Sequence, residues 1–180
     1  MLRITIPESE EWDETNEKFV YAKEQTLDLE HSLLSVKKWE SRWHVPFLGE
    51  KEKTADQVID YIKCMSLNKK IDPNVYLRLT VDNINEINSY INDPMTATWF
   101  AENEKKSRSK EVVTAEKIYY WMVALNIPFE CQKWHLNSLL TLIRVCEEEN
   151  KPKKKMSRKA LMARNSELNA ARRKMLRTKG

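Results

Sequence analysis

Glycine is almost missing from this sequence, which has only Gly49 and Gly180 among its 180 residues. Loops that cradle phosphate need several glycines so that backbone amides can approach the ligand. A P-loop, a dinucleotide-binding turn and a kinase-like glycine loop are therefore excluded. The tight turns of an all-β sandwich or barrel also lean on glycine for positive φ, and the six prolines do not replace it. Cysteine is scarce too: Cys64, Cys131 and Cys146 are an odd, scattered set inside apolar stretches, unlike a disulfide framework, and fit a reducing compartment. No run of about twenty apolar residues is present to span a bilayer. The opening MLRITIPESEEWDE has no long apolar run behind its arginine, so no secretory leader is expected and the expected location is the cytosol. What remains is a chain with 41% hydrophobic and 32% charged residues, composed like a soluble, helix-rich protein and long enough for one domain, or one domain plus an appendage.

The net charge of +4 conceals two opposed regions. Residues 151–180 carry twelve of the 31 Lys and Arg against Glu167 alone, a net of +11, which leaves 19 basic and 26 acidic residues and a net of −7 elsewhere. This is an acidic body with a basic tail. Within the tail, Ser157 is placed to cap a helix in which Leu161, Leu168 and Met175 recur every seven residues near Ala171, giving a narrow apolar stripe with basic flanks. Such a helix suits docking to another helix; the plain alternative is a solvated helix that aids solubility or folds back on its own acidic body. It lacks the Trp, Tyr and Phe that stack on single-stranded bases or anchor a helix at a lipid interface. Nucleic acid therefore ranks below protein as a partner without being excluded, and no membrane partner is expected.

Along the body, Leu2, Ile4 and Ile6, then Phe19 and Tyr21, then Leu27 and Leu29 alternate with polar neighbours, the mark of half-buried strands. The acidic residues 8–17, including Trp12, read as the loop or flap between them. Leu33, Leu34, Val36, Trp39 and Trp43 follow helical spacing until Pro46. Thr54 with Gln57 is a capping box for a helix bearing Val58, Ile59, Ile62 and Met65. VYLRL after Asp72-Pro73 fits a helical turn or a strand. Thr80 or Asp82 starts a helix with Ile84, Ile87, Tyr90 and Ile91 inward. MTATWF, with EVV beyond a polar loop, reads as a hairpin. Residues 118–125 are apolar without interruption and read as a central buried helix, followed after Pro128 by a helix with Trp134, Leu136, Leu139, Leu140, Ile143 and Cys146 on one wide face. The expected fold is α+β, mainly α: a helical bundle body over residues 1–150 with a small N-terminal antiparallel sheet, then a basic linker and amphipathic C-terminal helix over 151–180.

Candidate chemistry is thin. Cys131 and His135 have the spacing of two metal ligands on a helix, but structural zinc needs four and no further Cys or His pair supplies them. A buried thiol beside a hydrogen-bonded histidine is the expected arrangement, and no orienting residue makes them a nucleophile pair. Pairs such as Asp56 and Asp60 arise readily among 27 acidic residues and read as solvated faces. No catalytic residue, cofactor site or metal site is assigned. Six tryptophans are many for this length, and Trp is strong at interfaces. Trp39, Trp121 and Trp134 are expected in the core; Trp12, Trp43 and Trp99, flanked by charged or loop residues, are candidates for partner contact. In the tail the candidates are Arg158, Leu161, Arg164, Leu168, Arg172, Arg173, Lys174 and Arg177.

Three segments carry a resemblance: KKWESRWHVPFLGEKEKTADQVIDYIKCM, IYYWMVALNIPFECQKWHLNSLLTLIRVC and SELNAARRKMLRTKG. Together they resemble tail-region proteins of siphophages of Gram-positive hosts, of the kind assigned as tail assembly chaperones. The helix, LNIP turn and Trp-His-Leu start of a Leu-rich helix within residues 119–146 is the most telling part. The resemblance implies a non-enzymatic factor, acting in the host cytoplasm and absent from the mature virion. Such a factor binds the long helical tape measure protein, shields its apolar stripes and recruits tail tube protein as the tube polymerises. The family carries no catalytic signature to match residue by residue. Self-association is left open. The rival readings are a permanent tail or head-completion protein of the virion, a nucleic-acid-binding factor acting through the basic tail, and, with nothing to recommend it, an enzyme.

Overall fold

The computed structural model describes residues 1–13, 17–49, 52–69, 71–100, 112–151 and 157–176. The chain divides into two compact units, Met1–Glu147 and Glu148–Gly180. The fold is α+β and mainly helical, with a small antiparallel sheet at the N-terminus.

Alternating apolar residues at the start of the chain form four short strands: β1 (Leu2–Ile6), β2 (Ser9–Asp13), β3 (Lys18–Ala22) and β4 (Gln25–Leu29). β1 pairs with β4 and β2 with β3, both antiparallel. The two ladders share one register, since Ile6 faces Gln25 and Ser9 faces Ala22. They are the root and tip of one hairpin, interrupted where Pro7 cannot donate to a ladder. The Arg78 guanidinium closes that gap by donating to the carbonyl oxygens of Pro7 and Lys23. At the root, Ile4, Ile6, Leu27 and Leu29 are fully buried. Part of the acidic stretch expected as a loop or flap is thus strand β2. Glu10 within it is exposed, and charge on a two-stranded ribbon discourages edge-to-edge pairing.

Helix α1 (Leu33–Trp43) begins with a reciprocal capping box between Ser32 and Ser35 and buries Leu33, Val36 and Trp39. Against it packs α2 (Ala55–Met65), started by the Thr54–Gln57 capping box and burying Tyr61, Ile62 and Met65. The Trp39 indole N–H donates to the Gln57 carbonyl at 2.8 Å, fixing the pair. VYLRL resolves as part of a 3-10 turn, Pro73–Arg78, before α3 (Val81–Asn92), which is capped by Thr80 with Asn83.

The residues after α3 differ from the expected hairpin: 94–100 and 112–114 form no strand, and the rest of the proposed turn lies outside the described residues. Side chains of the last body helix, α5 (Leu136–Asn150), take up the backbone groups instead. Asn137 donates to the carbonyls of Ile91 and Asp93, Ser138 donates to that of Met95, and the Arg144 guanidinium sits 3.9 Å over the Phe100 ring.

Between them runs α4 (Ala115–Ala124). Its N-cap Thr114 makes no side-chain cap bond. The buried Glu40 carboxylate of α1 replaces it, accepting from Ala115 N–H at 2.8 Å and, through its other oxygen, from Phe47 N–H at 2.7 Å. A carboxylate at a helix N-terminus also suits the helix dipole. The helix closes at Asn126, whose φ of 54° is left-handed. The amides of Asn126 and Ile127 turn back to Val123 and Met122, a glycine-type stop for which asparagine suffices. α4 is not buried all round, as its unbroken apolar run suggested: Ala115, Ile118 and Met122 face inward while Tyr120 and Val123 are exposed. The second unit contains α6 (Arg158–Leu176), which starts after Ser157.

Candidate protein-binding surfaces

The most enclosed polar cluster joins the starts of two helices. Leu136 N–H donates to the His31 carbonyl at 2.8 Å, and a β-bridge links Ser32 to His135, so α1 and α5 begin side by side. His135 acts as N-cap: its Nδ1 accepts from Asn137 N–H at 3.3 Å, leaving Nε2 to donate to the Tyr90 carbonyl at 3.0 Å. His31 Nδ1 meets the Tyr61 hydroxyl at 2.5 Å, and the two imidazoles stack edge to face at 5.0 Å. Burial, and then the neighbouring His135, push the His31 pKa down to about 3. Burial likewise raises the Tyr61 and Tyr90 hydroxyls, the latter helped by its 2.6 Å bond to Glu30.

These hydrogen bonds and ring contacts make the cluster a clamp between the starts of α1 and α5. Cys131 is buried in the 3-10 turn Phe129–Lys133, and His135 has both ring nitrogens engaged. Among the described residues no group of three His, Cys, Asp or Glu is placed to hold a metal ion. No helix of the described residues is long and apolar enough to cross a membrane.

The tryptophans divide differently from expectation. Trp39 is fully buried. Trp43, a partner candidate, is half-buried, with its indole N–H donating to Asp60 at 2.9 Å and its ring 6.3 Å from that of Trp39, so it braces α1 on α2. Trp134, expected in the core, is 49% exposed, because the 3-10 turn points it away from the face that buries Leu136 and Leu139. Trp121 is half-buried. Trp99 is 81% exposed, on the segment tethered to α5. Trp12 lies in β2 opposite Phe19 in the register.

Three surfaces emerge. The first is the hairpin tip, where Glu8 and Glu10 are exposed beside exposed Phe19 and Tyr21, and the Tyr21 hydroxyl donates to Glu8. The second is the outer side of α4: Tyr120, 68% exposed, and Val123 are one turn apart, and half-buried Tyr119, one turn from Val123, lies 6.3 Å from exposed Phe129. The third is α6. Arg158, Leu161, Arg164, Leu168, Arg172, Arg173 and Lys174 are all exposed on it, while Arg177 lies outside the described residues. The uninterrupted apolarity of residues 118–125 was the only signal for the second surface, and it was open to a buried reading. Comparison with protein families, curated proteins and solved structures found no match to this chain.

Proposed function

We propose that this chain is a non-enzymatic binding factor of phage tail assembly, a chaperone that holds the tape measure protein and helps recruit tail tube subunits. The assembly role rests on the resemblance of the three segments quoted above. The observation that carries the binding mode is α6: an apolar stripe of Leu161, Leu168 and Met175 between basic flanks, with every described side chain of the helix exposed. An isolated helix of this length gains most of its stability from packing an apolar face on something else. A partner helix with apolar and acidic positions supplies that surface, and the charges set its orientation and speed its capture. The exposed aromatic side of α4, with Lys37 Nζ 4.9 Å over the Tyr119 ring, offers a second contact.

The test is capture of co-expressed tape measure and tail tube proteins by the full chain and by a variant with Arg172, Arg173 and Lys174 reversed to Glu, at low and high salt. Mass spectrometry of purified particles accompanies it. Salt-sensitive capture of the tape measure protein, weakened at least tenfold in the variant, with the protein absent from particles, is the expected result. Presence in particles without such capture makes it a permanent virion component instead.

A further inference from the structure

The hairpin tip and α6 are mirror images in charge. Residues 8–22 hold Glu8, Glu10, Glu11, Asp13, Glu14 and Glu17 against Lys18 alone, a net of −5. Residues 158–176 hold Arg158, Lys159, Arg164, Arg172, Arg173 and Lys174 against Glu167 alone, a net of +5. Glu8, Glu10 and Glu17 of the first and the described side chains of the second are exposed, and both carry exposed apolar side chains among the charges: Phe19 and Tyr21 on the ribbon, Leu161, Leu168 and Met175 on the helix. Their sizes match as well. The strand positions 8–13 extend about 17 Å, and the two basic clusters at residues 158–159 and 172–174 are about 21 Å apart along a helix.

We propose that the α6 helix of one copy of this chain docks along the acidic β2–β3 ribbon of a second copy. Nucleic acid matches the helix but is repelled by the ribbon, and a generic acidic protein leaves the ribbon unmatched; a second copy matches both surfaces at once. The tip suits this use because, among the described residues, its two strands pair only with each other, with Arg78 donating to the Pro7 carbonyl at their base, and Glu8 and Glu10 are exposed. The contact is heterologous, each copy giving one surface and receiving on the other, and such contacts build rings or open chains. Opposed charges at short range, exposed to solvent, give a contact that high salt dissolves. The inference shares α6 with the tail-assembly reading but does not depend on it, since self-association uses only this chain's own surfaces.

Sedimentation velocity of the purified full-length protein tests it, over a wide concentration range at about 50 mM and about 500 mM salt. Two variants are compared, one with Glu10→Lys and Glu11→Lys in the ribbon, the other with Arg172→Glu, Arg173→Glu and Lys174→Glu in α6. Circular dichroism confirms that each keeps its helix content. The wild type is expected to grow with concentration at low salt and return to monomer at high salt, with at least a tenfold loss of affinity. Each variant alone is expected to stay monomeric, and an equimolar mixture to form a one-to-one pair, because the intact helix of one meets the intact ribbon of the other. Three results overturn the proposal: a wild type that is monomeric at every concentration, as a clasp within one chain or a nucleic-acid role requires; self-association that survives either reversal; or a mixture that stays monomeric.

Discussion

The body and α6 use the same kinds of residue to opposite ends. In Met1–Glu147 the apolar side chains meet: Trp39, Leu27, Leu29, Ile62, Ile118, Met122 and Leu139 are fully buried around a clamp of histidine and tyrosine. In α6 the leucines and methionines are exposed and separated by arginine and lysine. A helix is stabilised by what its apolar face covers, so the body specifies its own structure, whereas on the proposed reading α6 is completed by a partner. The comparison separates a unit that covers its own apolar residues from a helix that leaves them exposed.

The sharpest way to break that division is to truncate one large side chain on each side of it. Trp39→Ala removes the centre of the α1–α2 contact and is expected to cost about 3–5 kcal/mol, while Leu168→Ala in α6 changes stability by less than about 0.5 kcal/mol. Urea midpoints of the two variants check this, and equal losses would erase the distinction. Next in size is Glu40→Ala. It leaves the Phe47 and Ala115 amides without their acceptor and is expected to cost about 1–3 kcal/mol, whereas reversing any one arginine of α6 leaves the midpoint in place.

Acid sharpens the comparison further. His31 has a folded pKa near 3, below its unfolded value of about 6.5. The unfolded chain therefore binds the proton more readily, and the stability present above about pH 6.5 is lost as pH falls toward 3, by at most about 1.4 kcal/mol per pH unit. Wild type and His31→Gln compared by urea titration at pH 7 and pH 4.5 report this as a shallower acid loss in the variant. The smallest effect is a gain. His44 ends α1 at a left-handed φ of 53°, so His44→Gly relieves about 1 kcal/mol of backbone strain and raises the thermal midpoint by a few degrees.

Local features were the legible ones. The Thr54–Gln57 box, the Thr80 cap and the 3.6-residue spacing of Val58, Ile62 and Met65 all act within a few residues, so the helix starts could be read directly. The clamp could not, because it joins His31 to His135 and Glu40 to Ala115, 75 positions away, through contacts that only the fold creates. Strand β2 was hidden by its acidic composition, which describes its solvent and not its backbone. The outward side of α4 was hidden for the converse reason: apolar residues at 118–125 report that the helix avoids water, and the same sequence serves a buried face or one that awaits a partner. At MTATWF β-propensity did not decide the backbone: the segment is tied to α5 by Ser138 on the Met95 carbonyl and by Arg144 over the Phe100 ring, contacts that only the fold creates.

The most direct test of the central claim, that the proposed tape measure contact is made chiefly by the tail helix, is hydrogen–deuterium exchange on the full chain, alone and with bound tape measure protein. Strong new protection across residues 158–176, with the exchange of α1, α2 and α5 unchanged, is the result the account predicts. Protection gained in the body while 158–176 exchanges as fast as before would contradict it.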